Sequence, residues 1–268
     1  LFCHGFKGFK DWGAWHLVAK AFAEAGFIFL KFNFSHNGVG QENPLDFTRL
    51  DLFFKNNYSR EGDDLKKVLE WSKTAEEIKA DIFCIGTELE NFVNKRPAYW
   101  KDLIQRIKKI FKGKLTYAAN WDEFKRFPLW GQLDYIGIDA YFPLTEKKTP
   151  TVKDFEAGWQ LHKTQIKNVQ SNLKKPILFT EFGYRSIDFT GKKPWDSKRV
   201  TGSINLQAQK NGLQAIYNQF WNEAWFAGGF IWKWFHKHNE VGGENNNRFT
   251  PQNKPAEVLL RNLYKEIP

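Results

Sequence analysis

Methionine is absent from this chain, and cysteine occurs only at Cys3 and Cys84. Two cysteines cannot build a disulfide framework, and neither has the spacing of a metal motif. Both stand inside apolar, strand-like runs, which predicts buried, reduced thiols. No apolar run reaches the length of a membrane span, and no leader pattern is visible. The first residue, Leu1, already reads as part of a strand, so the natural chain is expected to begin upstream. No Gly-x-Ser-x-Gly turn occurs, and Gly202-Ser203 lacks both the spacing and the preceding apolar strand. A serine nucleophile therefore has no seat. His236-Lys237-His238 with Glu240 lacks a third well-spaced ligand, so neither a metal nor a cofactor is expected. That stretch reads as a loop.

Acidic residues are the scarcer charge, 30 against 40 Lys and Arg, which leaves a net charge of +10. Recognition of nucleic acid requires basic residues gathered on one face or in a motif. Here they are spread along the chain, mostly on predicted helices such as residues 101–112. The excess reads as a solvated surface. Neither a nucleic-acid nor a membrane partner is expected.

Aromatic residues are abundant at 17%, with 12 Trp and 26 Phe. Most fill the core, but Trp is also the usual partner for the flat C–H faces of sugars. The run Lys175-Pro176-Ile177-Leu178-Phe179-Thr180-Glu181-Phe182-Gly183-Tyr184 has the composition of a buried parallel strand. A second run, Asp81-Ile82-Phe83-Cys84-Ile85-Gly86-Thr87-Glu88, has the same shape. Parallel α/β sheets and barrels build their sites at the C-terminal ends of strands. Two strands ending in Thr-Glu thus offer Glu88 and Glu181 to one rim, and paired carboxylates are the equipment of glycoside hydrolysis.

Residues 1–73 read as βαβα: a strand over 1–6, a helix over 14–25, a strand over 27–34, a polar loop and a helix from about 63. From about residue 74 the pattern is five β/α units. Strands are predicted over 81–88, 114–119, 133–140, 175–182 and 228–234. Helices are predicted over 99–111, 152–173, 206–221 and 256–265. Alternation of this kind implies a parallel sheet or barrel.

The run Phe2-Cys3-His4-Gly5-Phe6-Lys7-Gly8, with Asn33-Phe34-Ser35-His36-Asn37-Gly38, resembles the start of an α/β-hydrolase. Without the nucleophile elbow the resemblance does not extend to a triad, and His4 and His36 read as turn residues. Residues 74–268 resemble the second half of a clan A retaining glycosidase barrel, and are most similar to glycoside hydrolase family 113, a family of β-mannanases. The motifs are Ile85-Gly86-Thr87-Glu88-Leu89, Ile136-Gly137-Ile138-Asp139-Ala140-Tyr141, Thr180-Glu181-Phe182-Gly183-Tyr184 and Phe230-Ile231-Trp232-Lys233-Trp234. The tail Arg248 to Ala256 fits as well. Thr87 stands where clan members usually carry Asn, which suits this family.

The resemblance implies that Glu88, ending barrel strand four, is the acid/base, and that Glu181, ending strand seven, is the nucleophile. Retention of configuration requires such carboxyls to lie roughly 5–5.5 Å apart. Tyr141 is placed to hydrogen-bond Glu181, Trp232 to stack on the sugar at the point of cleavage, and Asn120 and Trp121 to border the same rim. Glu90 rivals Glu88, but it points away from its odd-numbered neighbours and continues beyond the turn, so it ranks lower. The fold expected is α/β: a partial or distorted (β/α) TIM-type barrel, with strands four to eight preceded by the hydrolase-like βαβα segment. The chain thus reads as a chimera joined near Trp71 to Ala75. Two functions stay open, a retaining glycosidase on β-mannan or a related β-linked glycan, and a non-catalytic glycan-binding or inert barrel fragment.

Overall fold

In the computed structural model, the described residues are 2–3, 31–32, 68–196 and 203–265. The expected helix at 14–25, the turn at 35–38, His4, His36 and the side chain of Cys3 lie outside them. The chain divides into two compact units, residues 1–119 with 123–136, and residues 120–122 with 137–268.

In the first unit, β1 (Phe2–Cys3) pairs in parallel with β2 (Lys31–Phe32). Helix α1 (Val68–Glu77) runs unbroken through residues 71–75, the expected join, and buries Val68, Leu69 and Ala75. Strand β3 (Ile82–Thr87) pairs in parallel with β4 (Lys114–Asn120), with a register shift between Cys84 and Thr87. Phe83 and Ile85 are buried, whereas Cys84 between them is half-buried. The expectation of a fully buried thiol is corrected here, because strand alternation turns Cys84 to the opposite face.

A short helix, α2 (Glu90–Lys95), follows β3 and was not visible in the periodicity, being under two turns long. Helix α3 (Pro97–Ile110) starts on Pro97, whose missing N–H is no loss in a first turn. It buries Trp100, Leu103, Ile104 and Ile107 and exposes its lysines, as 3.6-residue periodicity requires. Trp100 meets Phe92 and Tyr117 edge-on, and Tyr117 stacks on Phe127 with centroids 4.3 Å apart. Gly86 lets β3 approach this cluster, since a Cβ there would lie 2.9 Å from the Trp100 ring.

In the second unit, β5 (Ile136–Asp139, with Ile136 assigned to the first unit), β6 (Ile177–Phe182) and β7 (Phe226–Ile231) are neighbours in that order, β6 and β7 in parallel. Helix α4 (Val152–Leu173) begins at a capping box between Thr151 and Asp154. The Asp154 carboxyl is held down at about 2, chiefly by the hydrogen bond from Lys147. Helix α5 (Leu206–Phe220) is capped by the Asn205 side chain, and α6 (Pro255–Lys265) closes the unit. Trp159, Phe179 and Phe220 are fully buried and meet one another at centroid distances of 4.8–6.2 Å. Strand β7 is less buried than its neighbours, with Phe230 58% exposed. It ends at Ile231, earlier than periodicity predicted, so Trp232 leaves the strand, and the Trp232–Lys233 peptide is cis.

Candidate active site

Glu181 is the fifth residue of β6 and is half-buried. Its backbone is pinned from β5, where the Ala140 N–H donates to the Glu181 carbonyl at 2.6 Å. One residue earlier, the Thr180 hydroxyl donates to Oδ1 of the buried Asp139 at 2.7 Å. The carboxylate is oriented by Tyr141, whose phenol donates to Glu181 Oε2 at 2.8 Å. Tyr141 is itself buried, and Phe249 meets its ring edge-on at 6.2 Å. The predicted partnership of Tyr141 and Glu181 is present.

Trp232 follows β7 and is half-buried. Its N–H donates to the Phe182 carbonyl at 2.7 Å, and Gly183 makes room for its carbonyl, which a Cβ would meet at 2.1 Å. The Lys233 ammonium lies 5.4 Å from the Trp232 ring centroid and 5.1 Å from that of Phe235. Burial lowers the Lys233 ammonium from its usual range, while the charge of Glu181 works the other way. Lys233 thus senses the charge of Glu181. Sequence reasoning passed over it, although it sits inside the quoted Phe230–Trp234 motif.

Asn120 ends β4, Trp121 follows it, and both belong to the same unit as Glu181. The Trp121 N–H donates to Asn120 Oδ1 at 2.8 Å. The Trp121 ring is half-buried, edge-on to Phe142 at 5.9 Å, and stacks on Trp195 at 5.2 Å and 21°. Trp195 was not singled out in the sequence; the one available signal is an indole placed in a polar loop.

Glu88 lies in the first unit, immediately after β3. Its φ is +52°, a left-handed conformation that costs a non-glycine residue on the order of 1 kcal/mol or more. Two bonds hold the turn. The Glu88 N–H donates to the Ala118 carbonyl at 2.9 Å, and the Leu89 N–H donates to the Tyr117 phenol at 2.5 Å. Tyr117 in turn donates to the buried Glu123 at 2.8 Å. The rival, Glu90, opens α2 and forms an ion pair with Arg126 at 2.7 Å.

In the loop after β7, His238 Nε2 lies 2.7 Å from Glu257 and Lys237 pairs with Glu240 at 3.0 Å. Among the described residues no three His, Cys, Asp or Glu side chains converge as metal ligands. No described helix is long and apolar enough to cross a membrane.

The profile of Glycoside Hydrolase Family 113 matches residues 47–254, and so runs across the expected join near residues 71–75. No curated protein sequence matches the chain. Among solved structures, a GH113 β-1,4-mannanase solved as a complex is similar with a TM-score of 0.66 at 21% identity, over 78% of this chain and 64% of that one. The GH113 β-mannanase of Alicyclobacillus acidocaldarius gives 0.63 at 23% identity, over 78% and 62%. A β-glucuronidase of Faecalibacterium prausnitzii gives 0.56 at 17% identity, over 77% and 35%. The chain thus spans somewhat under two thirds of the mannanase structures it matches. These likenesses concern the fold, an α/β architecture with parallel strands, whereas the profile covers most of the sequence. On that match, the chain belongs to glycoside hydrolase family 113.

Proposed function

We propose that this chain carries the catalytic machinery of a retaining glycoside hydrolase acting on a β-linked glycan, with β-mannan as the substrate class. Glu181 is the nucleophile: its carboxylate oxygen attacks the anomeric carbon as the bond to the leaving oxygen breaks. Glu88 is the acid/base, and gives its proton to that leaving oxygen. In the second step Glu88 takes a proton from water, the water oxygen attacks the anomeric carbon, and Glu181 leaves with its electron pair. Two inversions give net retention.

The observation that carries this reading is the Tyr141 to Glu181 hydrogen bond in a chain of family 113. A phenol donating to an ionised carboxylate both fixes its direction and favours its charge. The strained backbone at Glu88 supports the second role, since left-handed non-glycine residues gather where function requires a particular side-chain aim. Asn120, Trp121 and Trp232 border the sugar. The mannanase neighbours support the choice of glycan.

The deciding experiment sets reducing-sugar release from β-mannan beside binding of the same glycan. Release with binding is the expected result. Binding without release would make the chain a non-catalytic glycan-binding fragment, and neither would overturn the reading.

A further inference from the structure

Residues 183–196, which follow β6, are tied down on several sides. The Leu144 and Thr145 N–H groups both donate to the Gly191 carbonyl, at 2.8 and 3.2 Å. The Phe189 N–H donates to the Lys148 carbonyl at 2.9 Å, and Lys192 pairs with Glu146 at 2.7 Å. Ile187 bridges to Ile204, and Gly191 packs so closely on Phe155 that a Cβ would lie 2.9 Å from its ring. A turn closed by the Asp196 N–H on the Lys193 carbonyl, at 3.0 Å, then presents Trp195.

Trp195 is 41% exposed, although it is held flat on Trp121. The stack uses one ring face. Trp121 is anchored in turn by Phe142, which is fully buried and packs on Trp159 at 5.2 Å. An exposed indole on a fixed backing is a preorganised surface, whose rotamer freedom is lost before any ligand arrives. The flat face suits a neutral pyranose, which offers C–H groups on one side and hydroxyls to water on the other. The backing Trp121 adjoins Asn120 at the C-terminal end of β4, in the same unit as Glu181, where parallel strands present their ligands.

We propose that Trp195 is a platform for a sugar residue of the glycan chain at a distance from the bond cleaved, a contact that long oligosaccharides reach and short ones do not. The proposal rests on the glycosidase reading above.

Manno-oligosaccharides of two to six residues are titrated by calorimetry into chains that all carry Glu181→Ala, so that none is cleaved, with positions 195 and 230 as in wild type or with Trp195→Ala, Trp195→Phe or, as a control at another exposed ring, Phe230→Ala. Trp195→Ala is expected to weaken the hexamer by about fivefold to tenfold and the dimer by less than twofold, with Trp195→Phe between, from the usual strength of an aromatic contact. Phe230→Ala should match wild type. A wild-type chain that binds the hexamer while Trp195→Ala binds every length equally well would overturn the platform and leave the glycosidase reading intact. A wild-type chain that neither binds nor cleaves mannan, glucan or xylan oligosaccharides would overturn the glycosidase reading and the platform with it. Oxidation by N-bromosuccinimide, mapped by peptide mass, tests wild type without any substitution. Saturating hexamer should protect Trp195, and unchanged oxidation would overturn the platform.

Discussion

The phenol of Tyr141, just beyond β5, donates to the carboxylate of Glu181 on β6 at 2.8 Å, and Phe249 supports the ring that does so. A hydrogen bond to a charged group contributes about 1.5–3 kcal/mol. Tyr141→Phe keeps the ring and its packing, so folding should survive. If the bond aims the nucleophile, kcat on β-mannan should fall by roughly 10- to 100-fold with KM little changed. A kcat within a factor of two of wild type would remove Tyr141 from the reaction.

The two glutamates are expected to fail differently. On the proposed roles, Glu181→Ala should leave no covalent intermediate, and added azide should attack from the vacated side to give a glycosyl azide of inverted configuration. On the same proposed roles, Glu88→Ala should remove the proton donor. Activated aryl glycosides should still form the intermediate, and azide should then give a product of retained configuration. Proton NMR of the anomeric centre reads both outcomes, and the reverse pairing would exchange the roles assigned to Glu88 and Glu181.

Lys254 is expected to make stability depend on pH. Its buried ammonium donates to Ser186 Oγ at 2.9 Å, Asn246 Oδ1 at 3.0 Å and the Arg248 carbonyl at 2.9 Å. Burial pulls it down to about 7 from an ordinary 10.5. Below about 7 both the folded and unfolded forms hold the proton; between about 7 and 10.5 the unfolded form holds it and the folded form does not. Stability therefore rises with pH across that window, by on the order of a few kcal/mol in total. Denaturant midpoints measured from pH 6 to 10 should show the slope in wild type and lose it in Lys254→Met. Equal slopes in the two proteins would assign the titration elsewhere.

Gly183 permits the approach of Trp232. A Cβ there would meet the Trp232 carbonyl oxygen at 2.1 Å, and a backbone atom cannot swing aside as a side chain can. Gly183→Ala should cost about 1–3 kcal/mol of stability. It should also weaken glycan binding by displacing Trp232. A thermal midpoint equal to wild type would show that the β6 terminus and Trp232 separate freely.

Much of this protein is written locally in its sequence. Helix α4 starts and stops where the sequence predicts, at Val152 and Leu173. Strand β6, which carries Glu181, and strand β3, which Glu88 follows, were visible as apolar β-branched and aromatic runs, because a buried parallel strand has no polar face to interrupt it. The Tyr141 to Glu181 partnership was legible through motif order. Tertiary structure decided what depends on contacts between distant positions. It turned Cys84 away from the face buried by Phe83 and Ile85, and it gave Glu90 to Arg126. It also brought the Lys233 ammonium to bear on Glu181 and set Trp195 on Trp121. Periodicity reports which face of one element is apolar. Which side chain lies across from it is settled only when elements far apart in the chain pack together.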